Sequence, residues 1–578
     1  MKIKTHIPHS QDKDKVGKQY SAFQDSQLMQ DRQEQIAQVV VTAQQMRDIE
    51  ERIFAAGMPV AALMEKVAGL IARRVQDIYP LCWRTQELLS TEVLELRGSS
   101  PPLSRIGILV GPGHNGGDAL VVARELHFRG YEVLIYCPFS KLKELTSQHL
   151  QYAKNLSLPC YDSIEPLQNC DLLIDGLFGF GLERTLTEPV ATAINQLNEW
   201  NKPIISIDLP SGLQTDTGEV LGTAVRATYT FCLGLWKLGL LQDHALNYVG
   251  KAELIDFDIP LADIQAVLGD SPSIKRITKT TALSVLPLPR PPVTHKYKEG
   301  HLLLICGSRR YSGGAILTGL GGRASGVGML SIAVPESLKA IMVAQLPEAL
   351  IIGCPETESG AIAQLQLPEN TDLSSFSAIA CGPGLTRDAS PILQEVLYST
   401  NPLVLDADGL NILAQIGTPL NSPLAKGGAK RGVRQAITVL TPHTGEFKRL
   451  FPDIPDANQD RVKATREAAA QSGAVVLLKG ARTVIANSQG TVWINPESTP
   501  ALARGGSGDV LTGLIGGLLA QASSKKIAVE EIVATAAWWH SQAAILAAQE
   551  RTELGVDAHT LTNYLSAVLV SSFTKLRP

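Results

Sequence analysis

The chain has 578 residues, 44% of them hydrophobic and 19% charged, with a formal net charge of −4. This is the composition of a folded protein long enough for more than one α/β domain, and it excludes the basic field that nucleic acid or an anionic membrane selects. Eight cysteines, at 82, 137, 160, 170, 232, 306, 354 and 381, stand singly with no Cys-x-x-Cys pair, so neither a zinc site nor a disulfide framework is signalled. Most lie in apolar runs, as reduced core thiols do, and a cytoplasmic enzyme is expected.

Residues 1–38 are polar for most of their length and read as a disordered leader, neither signal peptide nor membrane span. Order is expected from Val39. Thr42 to Arg47 reads as a cap followed by a helix, and a second helix is expected over 59–75. The stretch 84–102 ends in Ser-Ser-Pro-Pro and reads as a surface excursion. Ile106–Val110 is a buried strand by length and composition, followed by Gly111-Pro112-Gly113-His114-Asn115-Gly116-Gly117-Asp118, an apolar helix and a strand at 133–136. The glycines match Gly-x-Gly-x-x-Gly. However, Cys137-Pro138 stands where a dinucleotide fold places its ribose-binding acid.

Two further strands end in carboxylates, Leu172–Ile174 in Asp175-Gly176-Leu177-Phe178-Gly179 and Ile204–Ile207 in Asp208-Leu209-Pro210-Ser211-Gly212. Parallel sheets bind ligands beyond the carboxyl ends of their strands, so Asn115, Asp118, Asp175, Asp208 and Ser211 are expected to converge. Each alone is more often a turn or cap residue, but three strand-end polar loops in one domain point to a site.

These motifs, with Thr42–Met46, resemble the NAD(P)H-hydrate epimerase family over residues 40–262. The resemblance implies a Rossmann-like domain that interconverts the R and S forms of NADHX and NADPHX, the cofactors hydrated on the nicotinamide ring. It further implies a K+ held by Asn115, Asp175 and Ser211, and substrate held by His114, Asn115, Gly116, Gly117, Asp118, the loop Gly179-Phe180-Gly181-Leu182-Glu183-Arg184-Thr185, and Asp208, the acid/base. Met64-Glu65-Lys66-Val67-Ala68-Gly69 departs from the family's Met-Glu-Asn-Ala-Gly.

The first domain is expected over 39–265 and the second over 275–578. In the second, strands again end in glycines and polar residues: Gly382-Pro383-Gly384, Asp406-Ala407-Asp408, Thr441-Pro442-His443-Thr444-Gly445-Glu446 and Lys479-Gly480-Ala481-Arg482-Thr483. Residues 421–435 read as an exposed insertion. Ala503–Gly517 carries glycines at 505, 506 and 508, then apolar residues at helical spacing from Val510. A glycine turn opening a helix gathers backbone N–H groups around an anion. Asp509 there is either a helix cap or the acceptor of a hydroxyl proton. His443 is either a pocket hydrogen-bonding group or a helix N-terminal residue, and Lys479 either a phosphate ligand or a solvated strand end.

This series resembles the ribokinase-like superfamily over 275–578, and within it the ADP- or ATP-dependent NAD(P)H-hydrate dehydratases. The resemblance implies that Lys479–Thr483 and Gly508 bind the adenine nucleotide with Mg2+, and that Gly314 or Ala315, Gly384, His443 and Asp509 line the hydrated-nicotinamide site. The whole is then an α/β chain of two domains, a repair enzyme for NADHX and NADPHX, expected as a homo-oligomer without nucleic acid or membrane partners. The rival reading is a ribokinase-like kinase of a vitamin or sugar hydroxyl joined to a non-catalytic dimerisation module.

Overall fold

Apolar runs bounded by Gly, Pro and Asp form buried strands, and the periodic segments between them form helices over those strands. A computed structural model describes residues 30–81, 105–417, 437–455, 457–522 and 527–574. Residues 1–29 of the leader, the excursion at 84–102 and the insertion at 421–435 lie outside the described residues. The described chain divides into two units, residues 1–240 with 244–272, and residues 241–243 with 273–578.

In the first unit, helix α1 (Ala43–Ala55) opens with a reciprocal cap: Thr42 accepts from the Gln45 amide and Gln45 from the Thr42 amide. Losing such a cap costs about 1 kcal/mol. Helix α2 (Val60–Ile78) follows, then strand β1 (Arg105–Val110), helix α3 (His114–Phe128), and strands β2 (Glu132–Tyr136), β3 (Cys160–Tyr161), β4 (Leu172–Gly176), β5 (Ile204–Ile207), β6 (Tyr229–Leu233) and β7 (Lys251–Ile255). The strands pair in the order β3-β2-β1-β4-β5-β6-β7, all parallel. Strand order reverses between β1 and β4, which opens a crevice at their carboxyl ends. Residues 30–38 correct the expectation of a leader disordered to residue 38. They are helical, with Ile36 buried and Arg32 paired with Asp256 and donating to the Ile259 carbonyl.

The second unit carries β8 (Ile274–Arg276), β9 (His301–Ile305), helix α4 (Ser312–Ala324), β10 (Met329–Pro335), β11 (Leu350–Cys354), β12 (Ala378–Cys381), β13 (Leu403–Leu405), β14 (Thr438–Leu440), helix α5 (Thr444–Leu450), β15 (Val475–Leu478), β16 (Val484–Ala486), β17 (Val492–Ile494), and helices α6 (Ser507–Ala522) and α7 (Val529–Arg551). Its ten strands run β8-β17-β16-β15-β14-β13-β12-β9-β10-β11, with β16 alone antiparallel. Here the order reverses between β9 and β12. Helix α6 packs on β9, β12 and β13 and against α4.

Candidate active sites

In the first unit, the loops after β1 and β4 meet over the crevice because glycine lets them. A Cβ on Gly111 would fall 1.6 Å from the Leu177 carbonyl oxygen, and one on Gly116 would fall 2.0 Å from that of Gly111. A cavity of about 840 Å³ lies above, lined by His114, Asn115 and Asp118, by residues 177–184, and by Asp208, Lys237 and Glu50. The structure therefore gathers most of the expected substrate residues. Gly116 and Gly117 lie beneath the cavity wall, Gly117 against Met64, and Thr185 packs on Gly222 instead. Lys66, in the atypical Met64–Gly69 segment, pairs with Asp258 at 2.7 Å.

Asp208 is 2% exposed and adopts φ +69°. Its Oδ2 accepts from the Phe180 amide at 2.8 Å, and its Oδ1 lies 2.6 Å from Nζ of the fully buried Lys237. The sequence reading missed Lys237, although a lone lysine inside Leu233-Gly234-Leu235-Trp236-Lys237-Leu238 was a visible signal. Removing one partner of such a pair leaves an uncompensated buried charge, at a cost of about 3–5 kcal/mol. Asp118 is pushed well above the usual carboxylate range by burial and then by Asp208 and Glu50. Burial, then Lys143, holds His114 below the ordinary imidazole value.

Asp175 and Ser211 lie under the cavity rather than on it. Asp175 accepts from the Ser206 hydroxyl (2.8 Å), the Ser211 amide (2.9 Å) and hydroxyl (2.6 Å) and the Leu177 amide (3.2 Å), and Ser211 Oγ accepts from the Phe178 amide at 2.8 Å. This network fixes the turn that leads into Gly179. No cationic side chain faces Asp175 among the described residues, and burial raises its pKa above the usual value. Asn115 Nδ2 is buried without a partner there. A fully buried carboxylate beside neutral oxygens, without a cation of its own, fits an all-oxygen monovalent-cation site in kind.

In the second unit, the loops after β9 and β12 meet at the reversal of strand order. Gly307 donates to the Pro383 carbonyl at 2.8 Å, and Gly384, at φ +67°, lies so close that a Cβ would sit 2.8 Å from the Tyr311 carbonyl oxygen. Asp509 stands in the first turn of α6 and Gly314 in that of α4. A Cβ on Gly314 would lie 3.5 Å from Asp509 Oδ2 and 3.6 Å from the Gly384 amide nitrogen, so these three expected residues meet. Ala315 is fully buried against Gly307. The first N–H groups of α6 have no intrahelical acceptor, and the positive end of the helix dipole opens onto this space.

Lys479 Nζ lies 2.7 Å from Asp406 Oδ1, while Thr512 donates to Asp406 Oδ2 at 2.6 Å. A Cβ on Gly508 would lie 3.4 Å from Lys479 Nζ, which puts the lysine at the glycine turn rather than in solvent. In the sequence Asp406 is only part of a strand-end motif; its role in holding Lys479 and Thr512 emerges from the fold. Residues 480–483 form the rest of the loop between β15 and β16. Thr483 donates to the Gly480 carbonyl, and Arg461 to those of Leu478 and Lys479. His443 caps α5: its Nδ1 accepts from Gly445 at 2.9 Å, leaving Nε2 as the donor edge. Burial, then Lys479, lowers its pKa.

Asp509 makes no hydrogen bond or ion pair among the described residues. Burial first, then Asp406, lifts its pKa to about 7 against the pull of Lys479. Such a carboxylate exchanges protons at neutral pH.

Two family profiles match the chain, NAD(P)H-hydrate dehydratase over residues 302–567 and YjeF-related protein N-terminus over residues 60–239. A bifunctional NAD(P)H-hydrate repair enzyme Nnr of Synechocystis sp. is 54% identical over 91% of this chain and 94% of its own length. One from Thermosynechococcus vestitus is 49% identical over 92% and 97%. Among solved structures, an ADP/ATP-dependent NAD(P)H-hydrate dehydratase from Bacillus subtilis, co-crystallized with ATP/Mg2+, is 33% identical over 51% of this chain and 97% of that one, with a TM-score of 0.42.

Proposed function

The chain belongs to the bifunctional NAD(P)H-hydrate repair enzymes, which join an epimerase to a dehydratase, and from that premise we propose how each site works. In the first unit, the 840 Å³ cavity takes NADHX or NADPHX, with Asp208 moving the proton of the C6 hydroxyl. Asn115, Asp175 and Ser211 would hold K+, which would supply the counter-charge that the buried Asp175 lacks among the described residues. The other substrate contacts are His114, Asp118 and the loop 179–185.

In the second unit, Asp509 takes the proton of the same hydroxyl, and the oxygen attacks the terminal phosphoryl group of ADP or ATP. The N–H groups at Gly505–Gly508 and Lys479 stabilise the charge that gathers on phosphate. Phosphate then leaves C6 as a proton is lost from C5, which restores the ring double bond, a route that replaces a poor leaving group with a good one. Gly314, Gly384 and His443 border the nicotinamide, and Lys479–Thr483 with Gly508 border the nucleotide. No group of three or more His, Cys, Asp or Glu gathers for a metal among the described residues. This fits Mg2+ carried on nucleotide phosphates and water, where it neutralises phosphate charge.

The observation that carries the reading is the meeting of Gly314, Gly384 and an unpaired Asp509 at the mouth of a glycine turn. A cytoplasmic site of action is supported by seven free cysteines, five of them buried, among the described residues. A homo-oligomer is part of the same proposal.

The test supplies purified protein with mixed R and S hydrates, ADP or ATP, and either K+ or choline. Recovery of absorbance at 340 nm, matched by free phosphate, is expected. With choline only the S fraction should be consumed quickly. A stable phosphorylated product would favour the kinase reading instead.

A further inference from the structure

We propose that Glu50 is a second catalytic acid/base of the epimerase site, serving the face of the nicotinamide ring opposite Asp208. The inference rests on the reading of that cavity as the epimerase site. Epimerisation at C6 by loss of hydroxide removes a hydroxyl from one face of the ring and returns one to the other. A single carboxylate fixed by three protein contacts cannot serve both faces. Asp208 is so fixed: Phe180 and Leu233 donate to it and Lys237 pairs with it. Asp208 and Asp118 both enter the cavity from the carboxyl-end side of the sheet, through the loop after β5 and through α3.

Glu50 enters from α1, an element outside the sheet. It is half-buried, whereas its neighbour Glu51 is exposed, and its carboxylate makes no hydrogen bond or ion pair among the described residues. Lys237 and Asp208 are the charges that act on it most, and burial leaves its pKa at about 7, suited to giving and taking a proton. Asp118, the third carboxylate of the cavity, is pushed well above the usual carboxylate range by burial and then by Asp208 and Glu50.

The step balances with water as co-reactant. The ring N1 lone pair expels the C6 hydroxyl, which takes a proton from Glu50 and leaves as water, giving a C6=N1 iminium. A second water adds to C6 on the Asp208 side and gives its proton to Asp208. Solvent exchange resets both carboxyls, and the reverse reaction exchanges their roles.

The test measures R-to-S conversion by Glu50→Gln and Glu50→Asp in the full chain, with S-form dehydration as an internal control. In Glu50→Gln, kcat for epimerisation is expected to fall at least ~100-fold with KM within about threefold. Glu50→Asp, which keeps the acid on a shorter arm, should recover part of that loss. In H2(18)O, each epimer newly formed by the native enzyme should carry solvent oxygen. Native kcat in Glu50→Gln, equal loss in both variants with a raised KM, or retention of the original oxygen would overturn the proposal. If Glu50→Gln does not fold, Glu50→Ala epimerising at the native rate overturns it alone. Native epimerisation by Asp208→Asn would instead sink the reading of the site itself.

Discussion

At the scale of single residues, the two sites handle carboxylates in opposite ways. Asp208 is held by Lys237 and backbone amides, so its charge is compensated where it stands. Asp509 has no such partner, and burial raises its pKa to about 7. Folding favours the protonated form of a carboxylate raised in this way. Its contribution to stability is present at low pH and is lost as pH rises through about 7, while the base form needed for catalysis predominates only above that pH. The dehydratase rate should therefore climb about tenfold per pH unit below 7 and level off above it, as steady-state kcat against pH would show. Asp509→Asn should lose dehydration at least ~100-fold. At pH 8 it should also melt higher, by on the order of a few degrees, because it no longer buries a charge. A variant that keeps the native rate would remove Asp509 from the chemistry.

Among elements, the contact between α4 and α6 decides where the anion cradle lies. The two helices approach through backbone: a Cβ on Gly513 would fall 1.9 Å from the Thr318 carbonyl oxygen, and one on Gly321 would fall 2.1 Å from that of Val510. Only glycine permits that distance, and it brings the starts of both helices, with Gly314 and Asp509, to one opening. Gly513→Ala should force the helices apart and destabilise the second unit by on the order of 3 kcal/mol. Dehydration should fall far more than epimerisation. Urea unfolding and the two assays, run side by side, read both effects, and native behaviour in both would refute the packing argument.

At the scale of the whole molecule, each unit places its candidate site where its own strand order reverses, between β1 and β4 and between β9 and β12. The chemistry requires both activities, since a dehydratase confined to the S form leaves the R form unrepaired. It does not require both active sites in one chain. An equimolar mixture of Asp208→Asn and Asp509→Asn proteins should convert a mixed R/S pool completely, at the native rate per working site. Progress curves at 340 nm would show it, and a stranded R fraction would mean the sites depend on each other within one molecule.

Much of this arrangement is local and was therefore legible in the residues. Thr42 and Gln45 lie within one helical turn of each other, as do the glycine turn and Asp509 at the start of α6. The apolar runs that end in Asp175, Asp208, Asp406 and Lys479 mark strands by composition alone. Motif resemblance then named the chemistry. Which strand ends become neighbours depends on strand order and crossovers, which short-range pattern does not encode. That is why only the fold pairs Lys479 with Asp406 and Lys237 with Asp208, and brings Glu50 from a surface helix into the first cavity. Tertiary structure also showed Asp175 and Ser211 to be the underpinning of a turn, and Lys237 to be a fully buried cation. Both outcomes follow from burial, which the fold alone assigns to a polar residue.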